Sequence, residues 1–343
     1  MSLPVGPKGE LLTMTSITKT RDKINSDEIL YDAKGKKERP WREKKVKTMA
    51  LADSYNRLDM DRKAGRVSEC GTFLEFRRYE HEMKLQGANF CRVRLCPMCA
   101  WRRSKKIFGQ VSSIMDFALQ ERKYRYIFLT LTLKNCPGEK LSTEIDQLMA
   151  GFDRMFRRAQ VRKSIKGWFR ALEVTHNLDP NSPSYDTYHP HFHVILMVNQ
   201  SYFNAGYYIP QKKWTSLWQE SMRLDYTPIV DVRSFKALTP DRVAKSVAEA
   251  AKYTVKDSDY LLDDGDMTDR TVAVLDPALA NRRLVAFGGR MKEIHKLLAL
   301  DDTTDGDLIH TDNEELRPDL EYVIERYSWH IGYKQYFRVK EEG

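Results

Sequence analysis

No uninterrupted apolar run in this 343-residue chain approaches the ~20 residues needed to cross a bilayer. Its first residues also lack the apolar stretch of a signal peptide. A membrane protein and a secreted one are thereby disfavoured, no membrane partner is expected, and the reading is cytoplasmic. Internal repeats and low-complexity segments are missing too, which argues against a solenoid or an array. Cysteine is scarce: five residues, an odd number, four of them falling between Cys70 and Cys99. Such a set makes a poor disulfide framework and reads better as metal ligands in a reducing compartment. Acidic residues are outnumbered by basic ones, 48 to 57, for a net charge of +9. That excess suits a polyanionic partner, although many basic proteins have none.

Hydrophobic residues make up 41% of the chain and its mean hydropathy is −0.59, as expected of a soluble globular protein with ample core. The length points to two or three domains, or to one large elaborated domain. The stretch that organises the rest is His189-Pro190-His191-Phe192-His193-Val194-Ile195-Leu196. In a strand, alternate side chains share a face, so 189, 191 and 193 point one way and Phe192, Val194 and Leu196 point into packing. Imidazoles on one side of a strand form a cradle for a divalent metal; solvated histidines on a strand edge are the plainer alternative. Pro190 donates no backbone hydrogen bond, so the regular strand is expected to begin at or after His191.

Upstream, Pro40 opens a helical pattern to about Lys63, and a hairpin is expected over Phe73–Phe76 and Met83–Phe90. Cys96-Pro-Met-Cys99 is a knuckle whose two-residue spacing lets both thiolates face one tetrahedral zinc. Cys91 is near, and Cys70 can return across the hairpin as fourth ligand; buried free thiols and redox chemistry are the alternatives. Arg102, Arg103, Lys105 and Lys106 follow on a helix to about Glu121, where they either contact phosphates or form a solvated face. A β-rich run, Tyr124–Leu133, is turned by Asn135-Cys136-Pro137-Gly138, which sets Cys136 apart from the other cysteines. A helix over Leu141–Lys163, a strand over Gly167–His176 and a loop over 177–187 lead into the histidine strand. Beyond it come a helix after Pro210, a strand at Pro228–Phe235 and a helix over Asp241–Lys256. Acidic stretches at 257–269 and 301–307 read as loops, Leu279–Leu300 as mostly helical around Gly288-Gly289, and Tyr322–Val339 as partly strand-like. The order predicts an α+β fold with an antiparallel central sheet and helices on one side.

Three pieces can converge on one site: His191 with His193, Glu173 on the strand that hairpins onto theirs, and Tyr253. Glu249 lies four residues before Tyr253, so the two share a helix face, flanked by Lys252 and Lys256. Glu173 is otherwise a strand-edge charge, Tyr253 a core or rim residue, and Glu249 a helix-surface contact.

At this point the motifs resemble a known family. His191-Phe-His193 resembles the His-hydrophobe-His motif of the HUH endonucleases, and Phe128-Leu-Thr-Leu-Thr132 resembles their first motif strand. Glu249-Ala-Ala-Lys-Tyr253 is similar to the motif that bears the nucleophilic tyrosine. With Cys91-Arg-Val-Arg-Leu-Cys96-Pro-Met-Cys99-Ala-Trp-Arg-Arg, the set resembles the rolling-circle plasmid replication initiators, in the single-tyrosine class that carries a glutamate in the tyrosine motif. The likeness runs from about Cys70 to Tyr253. It implies an HUH-like catalytic domain over 122–300 after a helix plus zinc-knuckle region (41–121). It does not cover residues 1–40, which read from their polar, basic composition as a flexible arm that either touches nucleic acid or is a solvated tail, nor the C-terminal extension (301–343). It implies a nickase and strand transferase with Mg²⁺ or Mn²⁺ on His191, His193 and Glu173, and one structural Zn²⁺ on Cys70, Cys91, Cys96 and Cys99. Tyr253 would form a 5′-phosphotyrosine, and Glu249 would activate water to end the round. The implied partners are plasmid origin DNA, as duplex and as extruded single strand, and the host helicase and replication machinery. Lys252 and Lys256, with the basic residues after Cys99, are the expected DNA contacts. The alternatives are an HUH transposase or relaxase, or a non-enzymatic zinc-dependent DNA-binding regulator. Relaxases usually place the tyrosine before the histidine motif, whereas Tyr253 follows it.

Overall fold

The computed structural model describes residues 28–35, 37–204, 206–234, 255–303, 305–311 and 320–340. The chain is held earlier than its polar start suggests. Strands β1 (Ala33–Lys34) and β2 (Lys37–Glu38) form a short ribbon. Leu30 is buried with its N–H on the Tyr336 carbonyl, and Trp41 Nε1 donates to Asp32 Oδ2 at 2.8 Å. The last part of the expected arm is therefore fastened down, while residues 1–27 lie outside the described residues. The helical pattern after Pro40 divides into α1 (Trp41–Arg57) and α2 (Asp61–Ser68), separated by Asp59 in the left-handed region at φ 56°. The hairpin follows as β3 (Phe73–Arg78) and β4 (Met83–Ala88). Helix α3 (Pro97–Glu121) then starts with proline at its first turn, where no backbone donor is lost.

The central sheet begins with β5 (Tyr124–Thr132), and helices α4 (Gly138–Arg157) and α5 (Ala159–Ser164) lead to β6 (Ile165–Asn177) and β7 (Thr187–Asn199). Next come α6 (Gln211–Met222), β8 (Val230–Ser234), α7 (Gly265–Leu279), β9 (Val285–Gly288) and α8 (Gly289–Leu297). The strand order is β8-β5-β7-β6-β9 and every pairing is antiparallel. The expected α+β class with an antiparallel central sheet holds. The histidine strand is longer than expected, because β7 runs through Pro190. Pairing with β5 stops at Thr132–His191, while β6 continues past Val174–Pro190 to Asn177–Thr187. Proline is tolerated because it has a neighbour on one side only.

Helices cover both faces of the sheet, not one. Leu129, Leu131, Leu172, Val174, Phe192, Val194 and Leu196 pack with α4, α6 and α7 in the larger core. Tyr126, Phe128, Phe169, Ala171, Ile195 and Met197 pack with α3 and α8 in a second core. Strands apolar at both parities have two faces to hide, so a single helical layer cannot suffice. Two further expectations change. The acidic stretch at 257–269 is not all loop: Asp264 caps α7, its side chain accepting from the N–H groups of Asp266 and Met267, and aspartates suit the positive end of a helix. The 279–300 segment is not mostly helix but holds β9, the outer strand on β6. Its glycine pair is the strand-to-helix junction. Gly289 sits at φ 54°, and a side chain there would strike the backbone of Lys166 and Gly167.

The C-terminal hairpin, β10 (Val323–His330) and β11 (Gln335–Arg338), completes a second antiparallel sheet in the order β11-β10-β3-β4. Trp329 N–H donates to the Thr72 carbonyl at 2.8 Å, and the Tyr336 hydroxyl to the Gly71 carbonyl at 2.6 Å. The C-terminal segment is thus bonded to the strands beside Cys70.

Two candidate metal centres

Among the described residues two groups have donor atoms that converge closely enough for a metal ion: Cys70, Cys91, Cys96 and Cys99, and Glu173, His191 and His193. The cysteines come from three places: the turn after α2, the segment after β4, and the start of α3. Their Sγ atoms are separated by 3.6 Å (Cys70–Cys99), 3.6 Å (Cys70–Cys96) and 3.7 Å (Cys91–Cys99). Four thiolates at ~2.3 Å from a tetrahedral zinc would sit about 3.8 Å apart, so the donor set fits. Backbone N–H groups point at the sulfurs, from Cys91 to Cys70, Arg92 to Cys99 and Val93 to Cys91, at 3.3–3.4 Å. Such donors favour thiolates over thiols. Beneath the cluster Lys45 is fully buried, its ammonium donating to the Ser68 and Cys70 carbonyls. Burial lowers its pKa, while charge on Cys70 and Cys96 works the other way. Neither Lys45 nor Thr48, whose hydroxyl lies 3.7 Å from Cys96 Sγ, is marked by any local pattern. Cys136 stands apart, paired through its backbone with Tyr188, and burial pushes its thiol up to about 11.

The second group lies on the sheet face covered by α3 and α8. Cross-strand register sets Glu173 opposite His191 and Thr130 opposite His193. Glu173 Oε2 is 2.7 Å from His193 Nε2 and 3.5 Å from His191 Nε2, and the two imidazole nitrogens are 3.3 Å apart. Donors bound at ~2.0–2.2 Å to one ion are separated by about 3.0–3.5 Å; two of these separations match, and the 2.7 Å pair, at hydrogen-bond distance, would open by a few tenths of an ångström around an ion. The other ring nitrogens are engaged as well: His191 Nδ1 is 3.1 Å from the His189 carbonyl, and His193 Nδ1 is 3.4 Å from Thr130 Oγ1. Those contacts turn both Nε2 atoms toward the carboxylate. Burial opposes ionisation of Glu173, but hydrogen bonds and charge from His191 and His193 outweigh it and hold the carboxyl well below its usual range. Lys256 Nζ is 3.4 Å from the other carboxylate oxygen.

His189 stacks on His191 with ring centroids 4.9 Å apart but is not among the converging donors. His176 points to the opposite face, bonded to Asp186 Oδ1 at 2.8 Å. Tyr253, Glu249 and Lys252 lie outside the described residues. Tyr260, the nearest described tyrosine after them in the chain, is buried with its hydroxyl donating to the Leu95 carbonyl.

The basic run after Cys99 requires a correction. Arg102 is fully buried, donating to the Leu308 and Ile309 carbonyls at 2.9 and 2.5 Å. Arg103 donates to the Arg92 and Val93 carbonyls, and Lys106 to Asp301 and to the Asp307 carbonyl. Lys105, partly buried, lies over the Trp101 ring at 5.6 Å. Arg102, Arg103 and Lys106 therefore face the protein's own loops, because the segment before α3 supplies acceptors to Arg103 and a segment distant in sequence supplies them to Arg102 and Lys106.

Residues 82–337 match the replication protein (Rep_1) family. The chain is 42% identical over 339 residues to a Protein rep of Bacillus amyloliquefaciens, covering 91% of this chain and 98% of the relative. To a Protein rep of Streptococcus pneumoniae serotype 2 it is 40% identical over 327 residues, covering 93% and 98%. To one from a Bacillus species it is 44% identical over 283 residues, covering 76% and 90%. No solved structure matches. The chain belongs to the replication protein family, to which its histidine, tyrosine and cysteine motifs had pointed.

Proposed function

We propose that this member of the replication protein family starts rolling-circle replication of a plasmid by nicking one strand at the double-strand origin. The observation that carries the reading is the convergence of Glu173, His191 and His193 on adjacent strands of the central sheet. These three residues would hold Mg²⁺ or Mn²⁺, which when bound neutralises charge building on the non-bridging phosphate oxygens. Tyr253 supplies the nucleophile. Its hydroxyl oxygen bonds to phosphorus and gives up its proton, the P–O3′ bond breaks, and the 3′ oxygen takes a proton to become a primer. Bond energy is kept in the 5′-phosphotyrosine, so no ATP is consumed. Lys256, beside Glu173, places a fixed positive charge next to the scissile phosphate. Glu249 acts as general base for the water that closes the round, a role worth ~10²–10⁴ in rate. Cys70, Cys91, Cys96 and Cys99 hold one structural Zn²⁺. The host helicase and replication machinery would act on the primed end.

The test is incubation with supercoiled plasmid carrying the protein's own origin, with and without Mn²⁺. Relaxed circles with protein on the 5′ end are expected in the presence of metal and none after thorough chelation. Tyr253→Phe should bind origin duplex and leave it uncut, and Glu249→Ala should nick but accumulate multimeric single strands. An adduct at full yield in Tyr253→Phe would remove Tyr253 from the mechanism.

A further inference from the structure

We propose a second DNA contact, resting on the function above: a basic pocket at the far end of the central sheet that grips the phosphodiester backbone of origin duplex. The pocket, about 550 Å³ in volume, opens where α3 passes into β5 and where β7 ends. Arg122, Lys123 and Arg125 bring three positive charges to it, Asn199, Gln200 and Asn204 bring three amides, and among the described residues no carboxylate lines it. This composition is what phosphate contacts require: cations with neutral hydrogen-bond donors between them. A second basic cleft, beside the cysteine cluster, differs in this respect. Asp276 and Asp302 line it too, and they engage Lys63 and Arg283 there.

One detail favours a backbone grip over a platform for unstacked bases, and a second marks an unsatisfied polar group beside the cations. The Arg125 guanidinium lies over the Phe203 ring at 4.6 Å, so that aromatic face is spent on holding a cation in place. Asn199 Oδ1 is buried without a hydrogen-bond partner among the described residues, which is unusual for a buried polar atom. The end of β7 therefore carries a polar group whose hydrogen bonding the described residues do not complete.

The place of the pocket matters as well. Strand register puts Asn199 opposite Tyr124 at this end and His191 opposite Thr132 at the other, eight residues along β7. At ~3.4 Å per residue that is about 27 Å, or roughly eight base pairs of duplex. The pocket therefore grips flanking duplex while the histidine site acts on the scissile strand.

The experiment compares wild type with Arg122→Ala/Lys123→Ala and with the triple variant that adds Arg125→Ala. The double variant leaves the packing of Arg125 on Phe203 intact. Binding of a labelled origin duplex is measured over a salt series, and cleavage of a short single-stranded oligonucleotide spanning the nick site is measured with Mn²⁺. The triple variant should lose about tenfold or more in duplex affinity, with a salt slope shallower by ~2–3, and the double variant somewhat less. Cleavage of the short single strand should be unchanged in both. Unaltered affinity and slope would overturn the proposal, as would a loss of oligonucleotide cleavage in step with duplex binding. If wild type cuts no oligonucleotide yet duplex binding still depends on these residues, the nicking reading fails and the pocket stands.

Discussion

The cysteine cluster and the Glu-His-His cluster are both built to converge, but they are supported in opposite ways. Four sulfurs converge on one point, and the residues that carry them sit in turns beside the smaller sheet and at a helix start, none within a strand. Three donors on β6 and β7 leave coordination positions open, and each rides on a strand hydrogen-bonded to its neighbours. Closed four-ligand sites are typical of structural zinc, and open three-ligand sites of catalytic metals. The difference teaches where each ion's binding energy would go. In the first case it would order the chain; in the second the chain is ordered already and the ion would serve chemistry.

The sharpest way to break this contrast is Cys96→Ser. Apparent binding free energies of structural zinc run to ~10–16 kcal/mol, so losing a ligand should unfold the cysteine region and lower the melting temperature sharply. Elemental analysis and thermal melts check it: wild type without zinc, or a variant that melts like wild type, would end the structural-zinc reading. His193→Ala is the counterpart. Cleavage should fall by at least ~10²-fold while the melting temperature moves by only a few degrees, because β7 keeps its apolar packing. EDTA should reproduce the loss and added Mn²⁺ reverse it; full cutting in chelated buffer would refute the open site.

A third substitution, Arg102→Ala, asks whether the basic helix between the two clusters is structural. Leaving the Leu308 and Ile309 carbonyls unpaired should cost about 2–4 kcal/mol in denaturant unfolding. Affinity for DNA per folded molecule should stay within twofold or so, whereas a phosphate-binding arginine would lose ~1 unit of salt slope. The smallest effect is expected at Cys136. Buried and with its pKa pushed up, it should resist alkylation in the native protein at about pH 8, before and after chelation. The four clustered thiols should become reactive once a chelator is added. Mass spectrometry of the labelled peptides distinguishes the two classes.

Much of the site was legible because it depends on spacing. His191 and His193 share a face by strand alternation, and two residues between Cys96 and Cys99 at a helix start bring their sulfurs together. Glu173 was also within reach, since a hairpin between its strand and the histidine strand was expected. Less was legible where burial depends on distant partners. Arg102 and Lys106 look like a solvated or phosphate-binding face until Asp301, Asp307, Leu308 and Ile309 lay acceptors across it, and Arg103 does so until the Arg92 and Val93 carbonyls accept from it. Strand β9 was hidden by its shortness and by the glycine pair, whose role is the close approach to β6.

The sequence by itself determined the periodicities: which residues alternate on β5, β6 and β7, which cysteines form a knuckle, and that the fold is α+β with an antiparallel sheet. These follow from local geometry, 3.6 residues per helical turn and two per strand repeat. Only the tertiary structure decided that Glu173 stands opposite His191, that helices cover both faces of the sheet, and that the C-terminal hairpin pairs with β3 beside Cys70. Register, sandwiching and long-range pairing are chosen by which apolar faces must be hidden from water and by which buried donors must find acceptors. Those are properties of the whole chain at once, which no window of residues contains.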